Sequence, residues 1–129
     1  MAYEEQKAIL IDGVTIASSA QETSDPHDFE DALVLNPHLW LEITGFSGVI
    51  GDDDTITIRV LGILDEGASP DTYLVWGGAY AYKPKGTGKE RIAIQPTRLP
   101  RRFVVRVTNG TSQATSSGAV TLTLTWQEG

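Results

Sequence analysis

Two stretches near the C-terminal end constrain the fold most. In residues 102–108 (RFVVRVT), Phe103, Val105 and Val107 alternate with Val104, Arg106 and Thr108. In residues 120–126 (VTLTLTW), Val120, Leu122, Leu124 and Trp126 alternate with Thr121, Thr123 and Thr125. A strict period of two places one set of side chains on a buried face and the other on a wetter one. Val, Thr and Phe all suit a pleated surface. Residues 109–118, rich in Gly, Ser, Thr and Asn, read as the loop between them. The spacing predicts a long hairpin-like pair at the centre of a β-sandwich, with everything upstream packed on it.

The upstream chain repeats the pattern in shorter pieces. Residues 8–11 are apolar and end at the turn pair Asp12-Gly13, and residues 14–17 resume extended character. Residues 18–31 are polar and acidic, a loop with a short strand near 21–24, anchored by Phe29. Residues 32–35 are apolar and end at Asn36-Pro37. In residues 38–44, Leu39, Leu41 and Ile43 face one way and Trp40, Glu42 and Thr44 the other. A Gly- and Asp-rich turn (45–54) leads to residues 55–60, with Ile56, Ile58 and Val60 inward, continued by Leu61, Ile63 and Leu64 past Gly62. Residues 72–76 read as a strand interrupted by Gly77-Gly78, followed by a short aromatic piece at 79–82 and a strand at 90–95 with Ile92 and Ile94 inward. No window carries helical three-to-four spacing. About eight short strands between turns predict an all-β, single-domain antiparallel β-sandwich of jelly-roll type over residues 8–129, with residues 1–7 as a flexible arm.

The chain has 129 residues, enough for one core, and no cysteine, which excludes disulfides and thiolate metal sites. No apolar run approaches the ~20 residues of a membrane span. The start, MAYEEQKAIL, is too acidic and polar to read as a secretory signal, so a soluble protein made in the cytoplasm is the expectation. The net charge of −7 is unevenly spread. Residues 1–72 carry 15 Asp/Glu against Lys7 and Arg59, a net of −13, and residues 73–129 carry 8 Lys/Arg against Glu90 and Glu128, a net of +6. Either the fold interleaves the halves and pairs the charges internally, or two opposed patches meet across subunits. An acidic chain is a poor fit to nucleic-acid phosphates.

No catalytic constellation emerges. Asp52, Asp53 and Asp54 lack the alternate-acid spacing of a calcium loop and read as a solvated turn. PKGTGKER (84–91) has the wrong glycine spacing for a phosphate loop and reads as a basic surface loop. Asp25, His27, Asp28 and His38 could in principle gather a zinc ion, but two histidines in an acidic chain arise readily by chance. Asn109-Gly110-Thr111 fits a glycosylation sequon and reads as a turn. Trp40, Trp76, Tyr73, Tyr80 and Tyr82 form the aromatic set, open to three roles: closing the core, filling an interface or stacking on sugars.

The order of segments carries a resemblance. ETSD is followed by HLWLEITG, a Gly/Asp turn, DTITIRVLG, a Tyr/Trp segment, RIAIQP and finally RRFVVRVTNGTSQATSSGAVTLTLTW. Over residues 18–126 this arrangement resembles the small β-sandwich head decoration (cement) proteins of tailed bacteriophages. The resemblance implies a non-enzymatic virion protein without a cofactor that forms homotrimers on the outer capsid surface and clamps the major capsid protein, with no nucleic-acid or membrane partner. Candidate interface residues are Arg101, Arg102, Arg106, Lys85, Lys89, Trp40, Trp76, Tyr80 and Tyr82. Similar sequences occur in phage tail and neck proteins and in carbohydrate-binding modules; in the last case Trp40, Trp76, Tyr80 and Tyr82 are the stacking candidates.

Overall fold

A computed structural model describes residues 4–64, 74–86, 88–96 and 98–129. Nine strands lie among them: β1 (Glu4–Val14), β2 (Gln21–Thr23), β3 (His27–Asp28), β4 (Val34–Ile43), β5 (Thr55–Gly62), β6 (Leu74–Tyr82), β7 (Glu90–Ile94), β8 (Arg102–Gly110) and β9 (Val120–Glu128). They form two antiparallel sheets that share one core. Sheet A runs β1-β9-β4-β7; sheet B runs β2-β8-β5-β6, with β3 also on β8. The chain is therefore an all-β, single-domain sandwich.

The connectivity is nested. β1 pairs with β9, β2 and β3 with β8, β4 with β7, and β5 with β6. Two further pairings, β4 with β9 and β5 with β8, join these into sheets. Every one of the seven pairings joins a strand from residues 1–72 to one from residues 73–129.

The two period-two stretches sit centrally, one in each sheet, but they are not partners. β8 belongs to sheet B and β9 to sheet A, so the expected hairpin is replaced by a crossover between layers. Their apolar sets meet across the core instead. Phe103, Val105 and Val107 face Val120, Leu122 and Leu124, all fully buried. Leu39, Leu41 and Ile43 of β4 and Ile56, Ile58 and Val60 of β5 complete the inner layer with the orientations that alternation predicts. Phe29 is buried and anchors the acidic loop, and Ile94 is buried beside half-buried Ile92.

Three expected strand ends turn out to be bulges inside longer strands. β1 continues through Asp12-Gly13, with Gly13 at φ 61° and register shifts on both sides of Ile11. β4 runs through Asn36-Pro37, with Asn36 at φ 51° and a shift between Leu35 and His38. β6 runs through Gly77-Gly78, with Gly77 at φ 70° and residues 77–79 looping out opposite Arg59. A bulge absorbs a positive φ or a missing proline N–H without ending the ladder. Residues 4–7, expected within an arm, pair in register with Thr125–Glu128 as the start of β1. Residues 1–3 of the expected arm and Tyr73 of the aromatic set lie outside the described residues.

Candidate functional site

Sheet edges are the first place to look for a partner, because an edge offers unpaired N–H and C=O groups. Here each edge strand is blunted. β1 carries Glu4, Glu5, Lys7 and Asp12 and is bulged; β2 has three residues; β7 has five and carries Glu90 and Arg91; β6 is broken by its glycine bulge. Recognition is left to side chains on faces, flanks and ends.

The flank between β6 and β7 is an apolar opening. Consecutive in the chain, these two strands are edges of different sheets and leave the sandwich open on one side. Tyr80, Tyr82, Ile92 and Ile94, with small alanines, line a crevice of about 500 Å3. Trp76 and Tyr82 turn inward and pack against the core. The Trp76 indole N–H donates to the Arg98 carbonyl at 3.1 Å, and burial, helped by nearby Glu90, pushes the Tyr82 phenol above its usual range. Tyr80 stays 38% exposed. Toward the 83–89 loop the crevice opens onto Lys83, Lys85 and Lys89. That loop is shaped by Glu90, whose carboxylate accepts the backbone N–H groups of Lys85 (2.5 Å) and Gly86 (3.1 Å).

Charge pairing follows the nested topology. The five ion pairs among the described residues are Lys89–Glu42, Arg91–Glu42, Arg101–Asp28, Arg101–Asp31 and Arg102–Asp28. Each joins an acid of the first half to a base of the second within one chain. Arg91 Nε donates to Glu42 Oε2 at 2.7 Å, and this bond, reinforced by Lys89, holds the Glu42 carboxyl below its usual range. Asp28 is likewise depressed, first by the Glu30 backbone N–H and then by Arg101 and Arg102. Arg106 lies on sheet B, opposite Arg59, and donates to Thr23 Oγ1 at 3.3 Å. Lys83, Lys85 and Arg98 have no ion pair among the described residues, and all three border the β6–β7 flank.

The outer face of sheet A carries the remaining aromatic. In one row across the sheet stand Ile9, Thr123, Trp40 and Ala93, with Ile9 54% and Trp40 45% exposed. The Trp40 N–H donates to Thr125 Oγ1 at 2.7 Å and His38 stacks beside the ring at 5.7 Å. The nine sequence candidates thus divide. Lys85, Trp76, Tyr80 and Tyr82 share the flank; Lys89 borders it too and reaches Glu42; Trp40 stands on the outer face of sheet A; Arg106 lies on sheet B; Arg101 and Arg102 lie at the end that holds Asp28.

Three residues carry structure that the sequence reading missed. Asn109 is fully buried. Its Nδ2 donates to the Ile16 (3.0 Å) and Gln113 (2.9 Å) carbonyls, and its Oδ1 accepts from the Thr111 N–H (3.0 Å) and hydroxyl (2.6 Å). A side chain so engaged is no glycan acceptor in the folded chain. Continuing the alternation Phe103, Val105, Val107 by two residues points to its inward position. His27 packs against Phe29, Trp126 and Phe103 at 4.8, 5.2 and 5.7 Å, its Nε2 buried without a hydrogen-bond partner among the described residues, and burial lowers its pKa. It does not face His38, which stacks on Trp40. Asp54 Oδ2 accepts from the Gly51 and Ser112 N–H groups and the Ser112 hydroxyl, which depresses its pKa and ties the 45–54 turn to the 111–119 loop. No group of three metal-ligating side chains converges among the described residues.

No protein-family model matches the chain, and no curated protein sequence matches it significantly.

Proposed function

We propose that this chain is a structural, non-enzymatic protein of a tailed-phage particle, a decoration protein that seats on the outer surface of the head and stabilises it. The strand orders β1-β9-β4-β7 and β2-β8-β5-β6 support a jelly-roll reading in which the second element is split into β2 and β3. That winding recurs in viral shell proteins and lectins, an analogy of fold rather than of role. The observation that carries the reading is the β6–β7 flank, an uncharged, Tyr- and Ile-lined crevice bordered by Lys83 and Lys85, which have no ion pair among the described residues. Aromatic-rich apolar patches with a polar rim suit a protein partner.

In this reading, charges that pair inside one chain are not the glue between copies. A homotrimer would be held through its flanks and would survive high salt. Many copies that bind only the assembled shell would stabilise it by linkage, about 2.7 kcal/mol per site at a hundredfold excess over Kd. The test is co-sedimentation with expanded phage heads, together with light scattering at low and high salt. Adsorption that Tyr80→Glu and Lys85→Glu abolish while Arg106→Glu spares is the expected result. Failure to adsorb to heads, or adsorption indifferent to the flank variants, overturns the reading.

A further inference from the structure

A second surface lies away from the β6–β7 flank, on the outer face of sheet A. Trp40 stands in the middle of this face on an internal strand, β4, where the backbone beneath it is hydrogen-bonded on both sides. Its ring is pinned by the 2.7 Å bond to Thr125 and by the His38 stack, yet it remains 45% exposed. An aromatic fixed in place and still open to solvent is preorganised for a flat apolar ligand face, since little side-chain entropy is left to lose.

The rim of the ring is polar. A shallow depression of about 310 Å3 is lined by Trp40, the β9 threonines Thr121, Thr123 and Thr125, and the charged groups Lys7, Glu42 and Arg91. That volume sits at the lower end of the ~300–1,000 Å3 typical of small-ligand sites. Threonine hydroxyls both donate and accept, which matches the dual character of sugar hydroxyls. The charge is the more discriminating feature. Glu42 is held by Arg91 and Lys89, and Lys7 has no ion pair among the described residues. The site is therefore net positive on a chain whose total is −7.

We propose that this face binds an acidic glycan: the apolar face of a pyranose stacks on Trp40, its hydroxyls meet Thr123 and Thr125, and a carboxylate on the sugar chain is drawn to Lys7 and Arg91. The row Ile9–Thr123–Trp40–Ala93 crosses all four strands of the sheet, three steps of about 4.8 Å, so a run of sugars fits better than a single ring. A polysaccharide of a cell surface has this chemistry. The inference is independent of the head-binding reading, because it uses a different surface.

The experiment titrates the intact protein with oligogalacturonate, oligoalginate and hyaluronan oligomers, and with neutral cello-oligosaccharide as the uncharged comparison. Tryptophan fluorescence and saturation-transfer NMR are the readouts. At least one uronate oligomer binds, more weakly at high salt, and Trp40→Ala lowers affinity roughly tenfold or more, the scale of an aromatic stack. Trp40→Phe, which keeps the ring and loses the N–H, retains most of the binding, and Lys7→Gln weakens uronate binding alone. Circular dichroism and the urea midpoint check that each variant is folded. Absence of binding to all three acidic oligomers, equal binding of the neutral one, or binding that survives Trp40→Ala overturns the assignment, as does a change in solution mass with Trp40→Ala, which would mark the face as a contact between copies.

Discussion

Asn109→Ala tests how one end of the sandwich is held. The side chain makes four hydrogen bonds, two as donor to the Ile16 and Gln113 carbonyls and two as acceptor from Thr111. The main chain adds two more to the 15–20 loop, Asn109 N to Ala20 O and Ser19 N to Asn109 O, both at 2.8 Å, which alanine retains. A net hydrogen bond contributes about 0.5–1.5 kcal/mol, and a buried group left without a partner costs about 1–3 kcal/mol. The Gln113 carbonyl keeps the Thr111 hydroxyl and the Ile16 carbonyl keeps the Thr115 N–H at 3.0 Å, so Thr111 N is the backbone group orphaned, while the other three groups each lose one bond. Water admitted to the gap offsets part of this, leaving an expected loss of about 2–4 kcal/mol, a large share of the ~5–15 kcal/mol of an ordinary domain. Urea unfolding at neutral pH followed by tryptophan fluorescence reads the loss directly. Asn109→Asp separates hydrogen bonding from volume. It turns the donor face into an acceptor aimed at two carbonyls, so it loses more stability as pH rises and the carboxyl ionises. A loss below about 1 kcal/mol for Asn109→Ala, or an Asn109→Asp variant that matches it at every pH, refutes the clamp.

Gly110→Ala places a methyl 2.8 Å from the Thr55 carbonyl oxygen, a backbone atom that cannot swing aside, and costs about 1–3 kcal/mol in the same urea assay. Burial holds the folded His27 pKa below the ordinary histidine value of 6.5, so the unfolded chain binds its proton first; the contribution is complete above about pH 6.5 and is lost as pH falls through the folded value. His27→Phe flattens that limb of the urea midpoint against pH, leaving the acid limb set by the depressed carboxyls of Asp28, Glu42 and Asp54, whose contribution is present above their ordinary range and fades below it.

The core was legible because alternation reports a face directly. Leu39, Leu41, Ile43, Ile56, Ile58 and Val60 point where a period of two places them. Strand ends were less legible, and for one reason: Asp12-Gly13, Asn36-Pro37 and Gly77-Gly78 have the chemistry of turns, and a bulge needs the same chemistry. Whether a positive φ reverses the chain or only kinks it depends on a partner strand more than a hundred residues away for Gly13 and about ninety for Asn36. Pairing was least legible. The alternation in β8 and β9 predicts two half-buried strands equally well whether they lie side by side or face to face. Among the site residues, Trp40 was readable as outward-facing, but its separation from Trp76 and Tyr82, which turn into the flank and core, follows from sheet membership that no local spacing encodes.

The uneven charge acquires a physical role from the topology. Strands β1–β5 come from a segment of net charge −13 and β6–β9 from one of +6, and no two strands of the same half are neighbours in either sheet. Pairing within a half would bring like charges together; pairing across halves attracts. The pattern thus disfavours local hairpins between strands of one half, at the expense of slow long-range closure. A chain cut between residues 72 and 73 exposes this. Each fragment alone lacks any native strand neighbour and stays without cooperative structure, whereas the mixture assembles into the sandwich. Trp40 in one fragment and Trp76 and Trp126 in the other report assembly by stopped-flow fluorescence. The association rate falls steeply between about 0.05 M and 1 M salt, where the Debye length shrinks to about 3 Å. A fragment that unfolds cooperatively on its own, or an association rate indifferent to salt, would mean that the apolar pattern alone selects the pairing and that the charges merely follow it.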